Sequence, residues 1–169
     1  MPTHPPEEPS RDQYLQYQVG SEYFASAITD VFLIVNSFGI IRVPGAPASM
    51  LGAIYYGGRI LPVIDMRLKL GMLPGTEPNE DYTILVMELN RKLPRDERIQ
   101  VGVLVDRVMA LHKVNRASIG PPCQNLFPSF PNLVQGMVHT KNLNLMIPDT
   151  GNLFEKEELA GMLEACSKL

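Results

Sequence analysis

Two aspartates close two nearly matching apolar phrases, Ile60-Leu61-Pro62-Val63-Ile64-Asp65-Met66-Arg67 and Val101-Gly102-Val103-Leu104-Val105-Asp106-Arg107-Val108. A carboxylate at the end of a buried strand is where a general acid, a general base or a metal ligand often sits. The repetition argues for a structural role instead. Equivalent positions in a repeated unit let each carboxylate accept backbone N–H groups of the following turn, or pair with Arg67 or Arg107. Asp65, Arg67 and Asp106 are therefore expected to brace turns. A third echo, Leu145-Met146-Ile147-Pro148-Asp149, lies near the C-terminus.

The other reactive side chains do not assemble into a site. The histidines are scattered: His4 lies in the N-terminal arm, and His112 and His139 sit beside expected strands with no cysteine or carboxylate partner close in sequence, so no metal site is expected. No G-x-S-x-G stretch exists to present a nucleophilic serine. Gly57-Gly58 lacks the strand–glycine–helix context and following Lys-Ser/Thr of a phosphate loop, and reads as a hairpin turn. Cys123 and Cys166 lie far apart without metal-ligand spacing, and free thiols in a reducing compartment are favoured over a pair. Neither an enzyme nor a cofactor is expected.

At 169 residues, 45% hydrophobic and 20% charged, the chain can build one domain or two small barrels sharing an interface. A net charge of -3 and the absence of aromatics interleaved with Lys and Arg speak against nucleic acid. The prolines and acids of the first ten residues do not resemble a secretion signal. No apolar run approaches the roughly 20 residues that span a bilayer. The expected location is the cytoplasm.

Residues 1–12 read as a flexible arm, and strand patterning begins at Tyr14. Tyr14–Val19 alternates large and polar residues, and Glu22–Ile28 returns after a turn at Gly20-Ser21. Val31–Asn36 is ambiguous between a strand and a short helix. Leu51–Tyr56 and Arg59–Ile64 flank Gly57-Gly58 as a hairpin. Leu73–Asp81 has the composition of a linker, and Asn90–Arg98 that of a long loop. Tyr82–Leu89 and a strand from Val101 running on through Val114 follow. Cys123–Pro131 carries too many prolines to be regular, and a last hairpin turns at Thr140-Lys141-Asn142. The C-terminus is helical, with Leu153, Leu159, Met162 and Leu163 on one apolar face and acidic residues at its start.

An excess of apolar character needs a destination. Nine methionines suit irregular cores or adaptable binding surfaces. Val31-Phe32-Leu33-Ile34-Val35 is apolar at every step, so one of its faces meets either the rest of the molecule or a partner.

Taken in series, these segments resemble a CheW-like domain. Val43-Pro44-Gly45-Ala46-Pro47, Leu51-Gly52-Ala53-Ile54 and Gly58 through Gly71 match its first half. Val101 through Val108, Ile119-Gly120-Pro121-Pro122 and Val134-Gln135-Gly136-Met137 match its second half, in the same order. The resemblance implies an all-β fold of two SH3-like five-stranded barrel subdomains with a C-terminal helix. It implies a single domain over 13–163, a second-barrel segment at roughly 82–147, and a helix and tail over 153–169. It also implies an adaptor coupling chemoreceptor tips to the regulatory domain of a CheA-type histidine kinase, beside membrane-anchored receptor arrays. In such proteins the kinase contact uses the first barrel, and the receptor tip lies in a groove near the junction of the barrels.

This chain departs from the family pattern at one hairpin. Tyr55-Tyr56-Gly57-Gly58 stands where relatives carry Asn-x-Arg-Gly, so Gly57 holds the arginine position and Arg59 follows two residues on. Leu33 replaces an acidic residue. The expected partner surface comprises Val31, Leu33, Ile34, Gly52, Gly57, Gly58 and Arg59. The competing reading is a small-molecule-binding β-barrel regulator with a Met-lined interior and His112 or His139 as polar handles.

Overall fold

The computed structural model describes residues 12–36, 39–72, 82–89, 94–122 and 132–169. The expected arm (apart from Asp12), the linker at 73–81, the loop residues 90–93 and the segment 123–131 with Cys123 lie outside these.

Among the described residues short apolar runs separated by turn residues become ten strands, and two tight turns show why. Gly57 and Gly58 adopt φ of 56° and 78°, the pair of left-handed conformations that a two-residue hairpin requires. They join β4 (Met50–Tyr56) to β5 (Arg59–Asp65), with Tyr56 opposite Arg59. Gly20, at φ 60°, turns β1 (Gln13–Val19) into β2 (Glu22–Ala27).

The ambiguous segment is a strand, β3 (Val31–Asn36). Further strands are β6 (Thr83–Leu89), β7 (Ile99–Val105), β8 (Arg107–Lys113), β9 (Val134–Thr140) and β10 (Leu143–Pro148). They form two five-stranded sheets. Sheet A has the order β8-β1-β2-β10-β9, and sheet B the order β3-β6-β7-β5-β4. Among the described residues two α-helices accompany the sheets, a single turn α1 (Met66–Lys69) and the C-terminal α2 (Lys156–Ser167).

The expected division near residue 82 is not how the strands are shared. Sheet B is continuous in sequence from β3 to β7, while sheet A takes β1 and β2 from one side of it and β8 to β10 from the other. The strand expected to run from Val101 through Val114 breaks at Asp106, so β7 and β8 belong to different sheets. The two matching phrases do not mark two barrels either. β5 and β7 are parallel neighbours in sheet B, with Val63 beside Gly102 and Asp65 beside Leu104. Interior parallel strands bury both faces and read as unbroken apolar runs, which is why the phrases look alike.

Among the described residues three apolar clusters hold the sheets together. Ile54, Val63, Ile84 and Leu104 fill the interior of sheet B, and Tyr14, Ala25, Val138 and Leu145 that of sheet A. A larger cluster lies between the sheets, where Leu15, Tyr17 and Phe24 meet Leu85, Met87 and Val103. Tyr17 and Phe24 stack there with ring centroids 5.9 Å apart. Burial pushes the Tyr17 hydroxyl up to about 12, so it stays neutral while sharing a 2.9 Å hydrogen bond with Ser26.

Helix α2 closes this layer with Met162, Ala165 and Cys166. Leu163, expected on the same face, is 38% exposed, because the buried side is set by the 162, 165, 166 spacing. The start of α2 is fixed by charge. Buried Lys69 pairs with Glu158, Ser49 donates its hydroxyl hydrogen to the same carboxylate, and the Lys69 ammonium sits 5.4 Å from the centre of the Phe154 ring. Burial alone would raise the Glu158 pKa. The hydrogen bonds from Lys69 and Ser49, the ammonium charge and the Glu155 N–H outweigh it and hold the carboxyl below its usual range.

A depressed folded pKa contributes stability that is present above the unfolded value of about 4.3 and lost as pH falls through the folded value. Thermal melts from about pH 7 down to about pH 3 should therefore lose a component that Glu158→Gln lacks. Lys69→Met, which strands the carboxylate, should cost about 3 kcal/mol at neutral pH in denaturant titrations.

Candidate interaction surfaces

Sheet B exposes apolar side chains at both ends of its strand order. On β3 the exposure alternates: Phe32 and Ile34 are 51% and 44% exposed, whereas Val31 and Leu33 are half-buried. Val31 packs on the layer between the sheets, and Leu33 on the interior of sheet B. A bulge between Val31 and Leu33 shifts the register against β6 and leaves Phe32 without an opposite partner. Among the described residues β3 pairs with β6 alone, and no described strand lies along its other edge.

At the other end of the order, the β4–β5 hairpin carries Tyr55 and Tyr56, 58% and 42% exposed, with Gly57, Gly58 and Arg59 exposed at its tip. Two aromatic rings and a guanidinium on a rigid two-residue turn supply large contact area at low entropic cost.

Gly52 does not belong to this surface. It is buried on β4, where the Ile41 backbone exchanges hydrogen bonds of 2.7 and 2.8 Å with Ala53 and covers the strand's outer edge. A Cβ at Gly52 would collide with the Ile41 carbonyl oxygen and lie 2.6 Å from the Ile40 Cγ2. The glycine is there to let a neighbouring backbone approach, not to meet a partner.

The strand-end aspartates hold turns through specific atoms. Asp65 caps α1: its Oδ1 accepts the Arg67 N–H at 3.0 Å and the Arg67 Nε–H at 3.2 Å. Its Oδ2 accepts from the Arg67 Nη2 at 3.0 Å, which makes the pair forked. That hydrogen bonding raises the Arg67 pKa further, and the charge of nearby Asp106 adds to it. Asp106 sits where the chain leaves β7 for β8. Its Oδ2 accepts the Gly20 N–H at 2.5 Å, and its own N–H donates to the Gln18 carbonyl at 2.9 Å. The β1–β2 turn is thereby tied to the point where the chain changes sheets.

Among the described residues, no three His, Cys, Asp or Glu side chains gather where they could hold a metal ion. His139 is exposed on β9, and the His112 Nε2 lies 2.5 Å from the amide oxygen of buried Gln16. Neither provides the interior polar handle that the ligand-binding reading requires.

Sequence reasoning missed Phe32, Tyr55 and Tyr56, together with Met109 and Leu111 on β8, which are 42% and 50% exposed. The signals were present. Period-two alternation puts Phe32 and Ile34 on one face once the segment is read as a strand, and tyrosines beside a Gly-Gly turn sit at a hairpin tip.

Two five-stranded sheets that share one apolar layer, with apolar side chains left on an edge strand and a hairpin tip, define a mainly-β two-sheet module. The CheW-like domain family matches residues 13–158, and the chain belongs to that family, whose curated relatives are named chemotaxis proteins. It is 29% identical over 114 residues to the chemotaxis protein CheW of Helicobacter pylori, covering 68% of this chain and 64% of that protein. It is 32% identical over 109 residues to a probable chemotaxis protein CheW of Rhizobium etli, covering 64% of this chain and 65% of that protein. The matched stretch thus spans just under two-thirds of each of these relatives. The match to the Rhizobium meliloti CheW is longer, 25% identical over 146 residues and 89% of that protein. The crystal structure of the scaffolding protein TtCheW from Thermoanaerobacter tengcongensis shares the fold, with a TM-score of 0.73 at 24% identity. That match covers 88% of this chain and 96% of the other. No helix among the described residues is long and apolar enough to cross a membrane.

The burial of Gly52 gives a stability test. Gly52→Ala should destabilise the fold by about 1–3 kcal/mol in urea titrations, because the Ile40–Ile41 segment must move. Gly57→Ala, with no atom within 4 Å of its added Cβ, should cost less, through its positive φ alone.

Proposed function

We propose that this protein is a non-enzymatic coupling adaptor, joining chemoreceptor cytoplasmic tips to the regulatory domain of a CheA-type histidine kinase. It works in the cytoplasm, beside membrane-anchored receptor arrays. The observation that carries this reading is the pair of apolar surfaces at the two ends of sheet B in a chain of the CheW-like family. An adaptor needs two contact regions on one rigid body, and its output is a coupling free energy between partners. Phe32 and Ile34 on β3 form one region, backed by half-buried Val31 and Leu33. Tyr55, Tyr56 and Arg59, presented by Gly57-Gly58, form the other. Asp65, Arg67 and Asp106 brace the turns that hold sheet B against sheet A, and touch no partner.

The Tyr55–Gly58 stretch, which replaces the family's Asn-x-Arg-Gly, tunes this adaptor to its own partners. Aromatic side chains here substitute ring contact for a charged one.

The contact regions are separable from stability. Phe32→Glu and Ile34→Glu should each weaken retention of the cognate kinase regulatory domain or receptor tip in pull-downs by at least about tenfold, with unchanged melting temperature. Leu33→Glu is the contrasting case: its half-buried side chain packs on the sheet B interior, so it should lower the melting temperature as well. Full retention of both partners by the Phe32 and Ile34 variants would move the contact elsewhere on the molecule.

A further inference from the structure

Each sheet order ends in two outer strands, and among the described residues three of these four edges are guarded. The outer side of β4 is taken by Ile41, whose backbone exchanges hydrogen bonds with Ala53. The outer side of β9 is taken by Gly120, which exchanges hydrogen bonds of 2.9 and 3.1 Å with Met137. β8 carries exposed Arg107 and Lys113 at its two ends. Two copies of β8 laid side by side about a two-fold axis at Ala110 would set Arg107 of each against Lys113 of the other, like charge on like. Cover and charge are the usual protections of a sheet edge.

β3 has neither protection among the described residues. Val31–Asn36 contains no ionisable side chain, and Leu33 stands where the family pattern has an acid. The bulge at Phe32 leaves Leu33–Asn36 in regular register with β6, so alternate residues there turn their N–H and C=O groups to the outer side. An uncharged edge is the kind that can meet its own copy, because the pairing brings no like charges face to face. Asp30 lies before the start of the strand, and two-fold symmetry carries its two copies to opposite ends of the pair.

We propose that β3 is a self-association edge, on which a second copy of this chain docks antiparallel about a two-fold axis at Ile34. An axis normal to the sheet joins each face of sheet B to the same face of the other copy. Ile34 then lies opposite itself, Leu33 opposite Val35, and Phe32 opposite Asn36. Leu33 and Val35 pack on the sheet B interior, so the pairing continues that cluster across the axis. Phe32 and Ile34, exposed in the single chain, gain cross-strand neighbours. The contact uses the same patch on both copies and closes at the dimer. The ladder is short, which makes the exchange reversible. The dimer does not rest on the adaptor reading, and its test uses this chain alone; in an adaptor it covers Phe32 and Ile34 until a partner takes the strand.

Sedimentation equilibrium of the full chain from about 1 to about 500 μM tests the proposal, and a shift from monomer to dimer across that range is the expected result. Ile34→Lys and Ile34→Glu each set like charges face to face at the axis. Each should weaken self-association at least about tenfold with unchanged melting temperature. An equimolar mixture of the two variants should dimerise again, because opposite charges then meet. Register has its own readout: Ile34→Cys in a Cys123→Ser background should form a disulfide-linked dimer on mild oxidation, and Cys123→Ser alone should not, since Cys166 is buried. A monomer throughout the range, oligomers that grow past the dimer, a dimer that both charge variants leave intact, a mixture that stays monomeric, or no disulfide through Ile34→Cys would overturn it.

Discussion

The structure depends on one apolar layer that belongs to neither sheet alone. Among the described residues the cluster between the sheets holds 23 buried side chains, against seven inside sheet B and six inside sheet A. A sheet of five short strands around six or seven core residues has little to hold it by itself, since each fully buried aliphatic side chain contributes only about 1.5–3 kcal/mol. Joining the sheets changes that balance, and α2 extends the same layer through Met162 and Cys166. The buried Lys69–Glu158 pair then sets where the helix starts, at a desolvation cost that the surrounding hydrogen bonds offset.

A shared layer also explains how a small protein can link two binding events. Val31 on β3 packs on the layer between the sheets, and Leu33, two residues on, packs on the sheet B interior. A load on the outer face of β3 therefore reaches both clusters through adjacent side chains. Close-packed interiors respond to such loads as a unit. Among the described residues no strand pairs with the outer side of β3, and an edge of that kind with exposed apolar side chains invites association with any other strand. The bulge at Phe32 interrupts the straight template such pairing needs.

Much of this was legible in the residues, and the limits have physical causes. The turns at Gly20 and Gly57-Gly58 could be located because positive φ selects glycine, and the C-terminal helix because its apolar residues recur at helical spacing. Strand identity within a sheet is another matter. Continuous apolar runs such as Val101–Val105 show burial on both faces and carry no mark of which neighbour lies alongside, so two parallel partners passed for one strand in each of two barrels. The change of sheet at Asp106 leaves no break in apolar character, since Val108 resumes it two residues later. Gly52 looked like a surface residue beside a hairpin because the segment that covers it, Ile40–Ile41, is joined to it only through a bridge formed in three dimensions.

Nested topology has a consequence for how the chain comes to be folded at all. Sheet B, continuous from Val31 to Val105, can assemble from one uninterrupted stretch, with all its partners emerging in succession from the ribosome. Sheet A cannot. Its hairpin β1–β2 is made first and must wait for β8, which pairs with β1 across some ninety intervening residues, Leu15 against Leu111. Loop-closure entropy rises only slowly with length, and it falls further once sheet B has drawn the two ends of the interval together. Asp106, bound to the Gly20 amide at the exit from β7, is the clasp at that junction. The order of synthesis and the order of assembly therefore coincide for the inner sheet and diverge for the outer one, which makes the outer sheet the late, topology-limited step.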